Sequence, residues 1–259
     1  MHYRHEKVLE VETTRTKTAL IIGGTGGIGL ELAIHMAQMN YVVLVAGRTS
    51  PESHKEYASR ISSDHISKYF HHIPWNYLNP MQGLVTLQNA LGKEPTIDVL
   101  IISFGPYEES SLHQASPEQW QSMVESNLIF PGMVTSWILP IMQNNGGGKI
   151  LFFGATGSDQ IQGKKHTAIY QAAKTGISVL AKSIAKETAK DGISSIVLCP
   201  GYTLSKSTPA DLKAVAQSRV PTAEPSTPVD FIPMLDSFLQ DNRGLMNGAV
   251  INCGQGLGT

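Results

Sequence analysis

Short apolar runs alternate with longer segments of helical periodicity along most of the chain. Runs rich in β-branched and aliphatic residues predict strands at residues 18–22, 41–46, 68–74, 99–102, 150–153, 193–198 and 250–252. Apolar positions at helical spacing predict helices at about 28–36, 51–63, 84–91, 117–142, 168–190 and 231–239. Strands and helices that alternate in this way predict an α/β fold, in which a doubly wound, mostly parallel seven-stranded sheet carries helices on both faces.

The chain is long enough for one hydrophobic core, and this core would be built from residues 18–259. Its 259 residues are 41% hydrophobic, which suits a single domain of this size. Residues 1–17 are polar and predict a leader outside the core, without the apolar centre of a signal peptide or membrane anchor. Residues 205–228 form a polar insertion with several prolines, which predicts a lid over a substrate site.

Charge and cysteine content narrow the classes of partner. The chain has 20 Lys+Arg and 21 Asp+Glu, so no net field draws it to nucleic acid or to a membrane, and a small molecule is the expected partner. Cys199 and Cys253 lack metal-ligand spacing and predict free thiols in a cytoplasmic protein. His71 and His72 are adjacent in a predicted strand and point to opposite faces, so no metal site is expected.

A glycine-rich turn lies between the first predicted strand and the first helix. Gly23, Gly27 and Gly29 fit one known nucleotide-binding spacing, and Gly23, Gly26 and Gly29 fit another. Glycine permits the tight turn, brings the backbone close to phosphate and lets the helix approach the strand. The turn therefore predicts a Rossmann-type dinucleotide site at the N-terminus of the first helix.

The end of the second strand indicates which dinucleotide binds. NAD-specific domains place a carboxylate there for the adenosine ribose, whereas this chain has Gly47, Arg48 and Thr49. Arg48 is a permanent planar cation suited to a 2′-phosphate. NADP(H) is therefore preferred over NAD(H).

Tyr170 and Lys174 lie four residues apart in a strongly helical segment. They share a helix face, with Cβ atoms about 5–6 Å apart. An ammonium group near a phenol favours the phenolate and lowers the phenol pKa, which suits acid/base chemistry. This pair is common on helices, so it gains meaning only together with the other motifs.

The motifs taken together resemble the short-chain dehydrogenase/reductase family, shorter single-domain branch, from Thr18 to Gly256. The matching positions are the glycine turn, Gly47-Arg48, Asn76, Ser103-Phe104-Gly105, Asn127, Tyr170, Lys174 and Pro200-Gly201. The resemblance implies that Tyr170 is the general acid/base, that Lys174 holds the nicotinamide ribose, and that Asn127 anchors a proton-relay water. It implies cofactor contacts from Gly23, Thr25, Gly27, Ile28, Gly29, Arg48, Thr49, Asn76, Tyr77, Ser103, Phe104, Gly105, Tyr170, Lys174, Pro200, Gly201, Thr203 and Ser205.

One position departs from the family pattern. Where the family has a Ser that hydrogen-bonds the substrate carbonyl, this chain has Ala155. Thr156 and Ser158 follow in the same loop, and we expect one of these hydroxyls to replace the missing donor.

The resemblance implies an NADP(H)-dependent oxidoreductase that transfers a hydride between nicotinamide and a small carbonyl or alcohol substrate. It also implies a homodimer or homotetramer. The loss of the Ser leaves a second interpretation open, a catalytically impaired NADP(H)-binding regulatory or scaffold protein. A third, an enzyme of the family's epimerase-like branch, is disfavoured by chain length.

Overall fold

The computed structural model describes residues 15–50, 55–92, 94–205 and 208–257. The first fourteen residues of the predicted leader lie outside this range. So do the start of the predicted helix at 51–63 and two residues of the predicted insertion.

The described residues form one parallel sheet of seven strands, which confirms the predicted fold class. The strands are β1 (Thr18–Ile22), β2 (Val42–Gly47), β3 (Phe70–Pro74), β4 (Val99–Ile102), β5 (Gly148–Phe153), β6 (Ile193–Pro200) and β7 (Val250–Cys253). Their order in the sheet is β3-β2-β1-β4-β5-β6-β7, and each neighbouring pair is parallel. The order reverses between β1 and β4, so a crevice opens at the carboxyl ends of these two strands.

Helices cover both faces of the sheet. They are α1 (Gly27–Gln38), α2 (Lys55–Ile61), α3 (Asp64–Ser67), α4 (Pro80–Leu91), α5 (Pro117–Val124), α6 (Phe130–Asn144), α7 (Ala168–Thr188), α8 (Ala210–Arg219) and α9 (Ile232–Gln240). Helix α4 begins four residues before the predicted start at residue 84. The reason is an N-cap, because the Asn79 side chain accepts a hydrogen bond from the Gln82 amide at 2.9 Å.

Two hydrophobic cores lie on opposite sides of the sheet. Along β1, Ala19 and Ile21 face the core that α1 and α9 cover, whereas Leu20 and Ile22 face the core under α4, α6 and α7. All four side chains are fully buried. This explains why the strand has no polar alternation, since a central parallel strand is covered on both faces.

The long helix predicted at 117–142 is interrupted. A π-helical segment, Glu125–Ile129, separates α5 from α6. Pro131 lacks an N–H group and cannot donate to the carbonyl of Asn127 four residues earlier, so the helical ladder widens at this turn. The predicted helix at 117–142 runs through this proline without a break, whereas the wider turn in the structure sets the position of Asn127.

The predicted insertion at 205–228 contains a helix that the sequence pattern did not indicate. Helix α8 buries Ala216, and Val220 directly after it is 4% exposed. The segment is anchored where the Leu204 amide donates to the Ser226 carbonyl at 2.7 Å. The insertion is therefore attached to the carboxyl edge of the sheet next to β6.

Candidate active site

The glycine turn follows β1 at the crevice where the strand order reverses. A Cβ atom at Gly23 would lie 2.7 Å from the Phe104 amide nitrogen, and one at Gly29 would lie 2.2 Å from Ser103 Oγ. Gly23 also has a φ of +81°, which disfavours other residues. These glycines allow the turn after β1 to touch the segment after β4.

Gly26 and Gly27, unlike Gly23 and Gly29, are not closely packed. A Cβ at either position would have no atom of the described residues within 4 Å, so they leave the space above this part of the turn open. Gly26 is the N-cap of α1 and has no side chain to cap the helix, which leaves its first amide groups for a ligand. A pyrophosphate fits this cradle, because amide donors and the positive end of the helix dipole meet there.

The end of β2 lies beside this cradle. Thr25 covers Gly47 so closely that a Cβ at Gly47 would lie 2.3 Å from Thr25 Oγ1. Arg48 and Thr49 follow and are exposed. Within the described ranges, Arg48 forms no ion pair. No carboxylate of these ranges neutralises its charge, at the place where a nucleotide 2′-phosphate would bind.

An aromatic cluster forms the floor beyond this region. The Tyr77 ring lies 4.9 Å from the Phe104 ring and 5.2 Å from the Phe130 ring, measured between centroids. The Tyr77 hydroxyl is buried and has no hydrogen-bond partner in the described part of the chain, and burial raises its pKa. Asn76 next to it is exposed. A buried unpaired hydroxyl at this edge leaves a polar group for a bound ligand.

Gly105 is the point where the catalytic residues predicted from the sequence meet. A Cβ there would lie 2.3 Å from Asn127 Oδ1 and 3.2 Å from Lys174 Nζ. Asn127 is fully buried, and its Nδ2 donates to the Pro106 carbonyl at 3.0 Å. Its Oδ1 has no hydrogen-bond partner among the residues that the structure describes. The π-helical segment thus presents an orphaned acceptor beside the Lys174 ammonium.

Tyr170 and Lys174 stand together on α7. Lys174 Nζ donates to the Phe153 carbonyl at 3.0 Å and lies 5.6 Å from the centroid of the Tyr170 ring. Burial lowers the pKa of Lys174 to about 8. Burial raises the pKa of Tyr170 to about 12, with a smaller contribution from Cys199. The lowering expected from the ammonium is absent, because desolvation of the phenol is the larger effect.

The loop after β5 directs its hydroxyl groups to the backbone. Thr156 Oγ1 donates to the Pro200 carbonyl at 2.8 Å. Ser158 is 2% exposed; its Oγ accepts from the Ala155 amide at 3.0 Å and lies 3.3 Å from Cys199 Sγ. Thr156 remains partly exposed, so the two hydroxyls expected to replace the missing Ser differ in access.

The remaining predicted contacts lie at the edges of the site. Ser103 Oγ donates to the Ile22 carbonyl at 3.1 Å, which ties β4 to β1. Ile28 packs against the core on the α1 side. Thr203 and Ser205 follow the Pro200-Gly201 turn, and the Ser205 amide donates to Thr208 Oγ1 at 2.9 Å.

Comparison with known proteins decides the family. The family model described as short chain dehydrogenase matches residues 17–215. The chain belongs to the short-chain dehydrogenase/reductase family.

Two curated relatives in this family have names that state a reaction. The acetoacetyl-CoA reductase of Shinella zoogloeoides is 24% identical over 245 residues, which cover 93% of this chain and 98% of the relative. The 3-oxoacyl-[acyl-carrier-protein] reductase FabG of Staphylococcus aureus is also 24% identical, with the same coverage. A solved structure of actinorhodin polyketide ketoreductase with NADPH superimposes with a TM-score of 0.77 at 22% identity, covering 94% of this chain and 98% of that chain. This likeness confirms the fold.

Four residues near the short-chain dehydrogenase/reductase site were missed in the sequence analysis. They are Tyr107, Glu109, Tyr202 and Arg219. They come from two separate loops and from α8, so no local spacing connects them. The one sequence feature that could have indicated two of them is their position, since Tyr107 and Tyr202 each follow a matched family motif by two residues or fewer.

Across the described ranges, no three His, Cys, Asp or Glu side chains are grouped so that they could hold a metal ion. None of the described helices combines the length and apolarity that a membrane span requires.

Proposed function

We propose that this protein is an NADP(H)-dependent oxidoreductase that transfers a hydride between nicotinamide and a small carbonyl or alcohol substrate. The observation that carries the proposal is the meeting of Asn127, Lys174 and Gly105 beside an open amide cradle at the N-terminus of α1. When bound, the nicotinamide supplies or accepts the hydride. Every other role belongs to residues of this chain.

Cofactor binding is assigned to the carboxyl edge of β1, β2 and β4. The amides at Gly26 and Gly27 would hold the pyrophosphate, and Lys174 would hold the ribose next to the nicotinamide. Exposed Arg48 favours a 2′-phosphate, which supports NADP(H) over NAD(H). The ketoreductase structure that shares this fold contains NADPH.

Tyr170 is proposed as the general acid in carbonyl reduction. Its raised pKa, about 12, keeps the phenol protonated at neutral pH, so it has a proton to donate to the substrate oxygen. Lys174 and the unpaired Asn127 Oδ1 stand behind it and would return the proton from solvent. In the reverse direction the same phenol would accept the proton from the alcohol.

The substitute donor for the missing Ser is proposed to be Thr156 rather than Ser158. Thr156 is partly exposed, whereas the Ser158 hydroxyl is buried between the Ala155 amide and Cys199. To serve, Thr156 must turn its proton from the Pro200 carbonyl to the substrate oxygen. Thr156→Ala should then lower kcat/KM by roughly tenfold, about 1.4 kcal/mol, while Thr156→Ser retains most activity.

NADPH oxidation in the presence of a carbonyl panel, followed by absorbance, tests the proposed function. Wild-type protein should reduce at least one class of ketone, aldehyde or oxo acid, and Tyr170→Phe should not. The matched control is Tyr41→Phe, which removes a phenol at the amino-terminal edge of the sheet, far from the crevice. Fluorescence titration with NADPH and NADH measures cofactor choice in the same samples.

A second function is favoured by one observation. Ala155 lacks a hydroxyl, and both neighbouring hydroxyls already bond to the backbone. A regulatory or scaffold protein that binds NADP(H) without catalysis would retain the cradle and tolerate this loss. Tight NADPH binding with no turnover across the whole panel would support this function and contradict the oxidoreductase.

We also propose a homodimer or homotetramer in the cytoplasm. Free Cys199 and Cys253 suit a reducing compartment. Light scattering after gel filtration measures the mass of the assembly, and the mass of a monomer would contradict the proposed oligomer.

A further inference from the structure

One phenol, that of Tyr107, packs against the proposed proton donor, Tyr170. The ring of Tyr107 meets the ring of Tyr170 edge to face, with 5.2 Å between centroids and 84° between planes. Tyr107 is 56% exposed, so its other side faces the mouth of the crevice. Its hydroxyl donates to Glu109 Oε1 at 2.5 Å. The segment after β4 thus forms one wall of the mouth, with its carboxylate already engaged.

Helix α8 brings a cation to the same mouth. Arg219, its last residue, donates from Nη1 to the Tyr202 hydroxyl at 2.9 Å. Tyr202 directly follows the Pro200-Gly201 turn at the end of β6. The pKa of Arg219 is raised first by this hydrogen bond to Tyr202, and further by the negative charge of Glu109. Glu109 is therefore near enough to Arg219 for its negative charge to act on the guanidinium group.

Within the described residues, the guanidinium group of Arg219 is held in position by Tyr202 but is not neutralised. It forms no ion pair with a carboxylate anywhere in the described part of the chain. The tether to Tyr202 uses one edge of the planar group and leaves its other N–H groups exposed. A guanidinium group with free N–H donors can bind both oxygens of a carboxylate through two parallel hydrogen bonds.

We propose that the substrate carries a carboxylate a few atoms from its carbonyl, and that Arg219, held by Tyr202, binds this carboxylate while the carbonyl oxygen meets Tyr170. This rests on the proposed oxidoreductase function and adds an oxo acid as the substrate class. Tyr107 forms the wall along which the substrate chain lies. Glu109 disfavours substrates that place their negative charge on the opposite side of the mouth.

A different arrangement of the same charges would be a direct pair between Arg219 and Glu109 that closes the mouth. Binding of the substrate carboxylate by Arg219 and a direct Arg219–Glu109 ion pair predict different effects of Glu109→Gln. If Arg219 binds the substrate anion, this variant removes a repelling charge and lowers KM for oxo acids. If the two residues pair with each other, Glu109→Gln and Arg219→Gln should have the same effect on every substrate.

The test compares matched substrates. Wild type and variants are assayed with 2-, 3- and 4-oxo acids of four to eight carbons and with the methyl ester of each. We expect wild type to favour acid over ester, and Arg219→Gln to raise KM for the acids by roughly tenfold or more while changing KM for the esters by less than about twofold. Lys213→Gln, which removes a positive charge from the same helix, is the control and should leave both unchanged.

Each outcome decides between the proposals. The carboxylate assignment is wrong if wild type reduces the esters as efficiently as the acids, or if Arg219→Gln changes KM equally for both. The proposed oxidoreductase function would be unaffected by either result. Parallel effects of Arg219→Gln and Glu109→Gln overturn the carboxylate assignment in favour of the direct pair. Failure of the whole panel, acids and esters alike, with NADPH binding intact overturns the proposed function and this inference with it.

Discussion

The nucleotide turn and the loop after β5 are built in opposite ways. At Gly23 and Gly29 the shape of the nucleotide turn is set by backbone groups that approach too closely for any side chain, so only glycine fits at these two positions. Between Ala155 and Ser158 the shape is set by side-chain hydroxyls that bond to backbone groups of the loop and of β6. The conformation of a site that is shaped by close backbone contacts can be predicted from its glycines. The conformation of a site that is shaped by side chains depends on which hydrogen-bond partner each hydroxyl has in the folded protein.

The largest expected effect tests the side-chain half of this comparison. Tyr170→Phe removes the proposed proton donor and keeps the ring against Tyr107, so kcat/KM should fall roughly 10³-fold, about 4 kcal/mol. NADPH affinity should stay within about threefold, because the loss is confined to the reacting atoms. Steady-state kinetics and fluorescence titration measure the two. An equal loss in affinity would show that the phenol holds the cofactor instead.

The second largest effect is expected in the nucleotide turn, whose shape depends on close backbone contacts. Gly29→Ala places a Cβ 2.7 Å from the Gly23 carbonyl oxygen, which cannot rotate away, so the free energy of unfolding should fall by about 2–3 kcal/mol. Gly26→Ala is the control, because its added Cβ meets nothing within 4 Å and its backbone is extended. It should keep stability within about 0.5 kcal/mol yet weaken NADPH binding. Urea unfolding separates the variants, and equal stability losses would contradict the account.

Lys174 gives a smaller effect with a pH signature. Its folded pKa of about 8 lies below its ordinary value of 10.5, so below pH 8 the folded protein carries a buried charge that costs stability. Between these values the unfolded chain binds more protons, and stability therefore rises with pH. Lys174→Met should raise the free energy of unfolding by about 2 kcal/mol near pH 7, without nucleotide.

That gain should shrink as the pH approaches about 10, where wild-type Lys174 is neutral in the folded state. Urea unfolding at several pH values checks the trend. A gain that stays constant with pH would mean that packing, not charge, is responsible. Lys182→Met, on an exposed position of the same helix, should show neither effect.

The smallest effect concerns cofactor choice. Arg48→Gln should weaken NADPH binding roughly tenfold, about 1.4 kcal/mol, and leave NADH within about twofold. Arg243→Gln, another exposed arginine at the amino-terminal edge of the sheet, should change neither. If both nucleotides weaken equally in Arg48→Gln, the 2′-phosphate assignment is wrong.

The sequence predicted the sheet well, since buried central strands such as β4 must be apolar throughout. It placed the glycine turn, Tyr170 and Lys174 correctly on their elements, because each depends on local spacing. It did not predict the π-helical turn at Asn127, where the consequence of Pro131 appears only in the helical ladder.

The positions of Arg219 and Glu109 relative to each other could not be predicted either. They are more than a hundred positions apart, and only tertiary packing brings the charge of Glu109 within range of Arg219. The same holds for the pKa of Tyr170. Spacing to Lys174 predicts a lowering, but the degree of burial decides the direction.

A crystal structure of the protein grown with NADP⁺ tests the central claim most directly. It should show the pyrophosphate on the amides of Gly26 and Gly27, and the Tyr170 hydroxyl facing the nicotinamide ring with Lys174 Nζ on the adjoining ribose. A phenol that points away from the ring, or a nucleotide bound elsewhere, would contradict the assignment of this crevice as an oxidoreductase site.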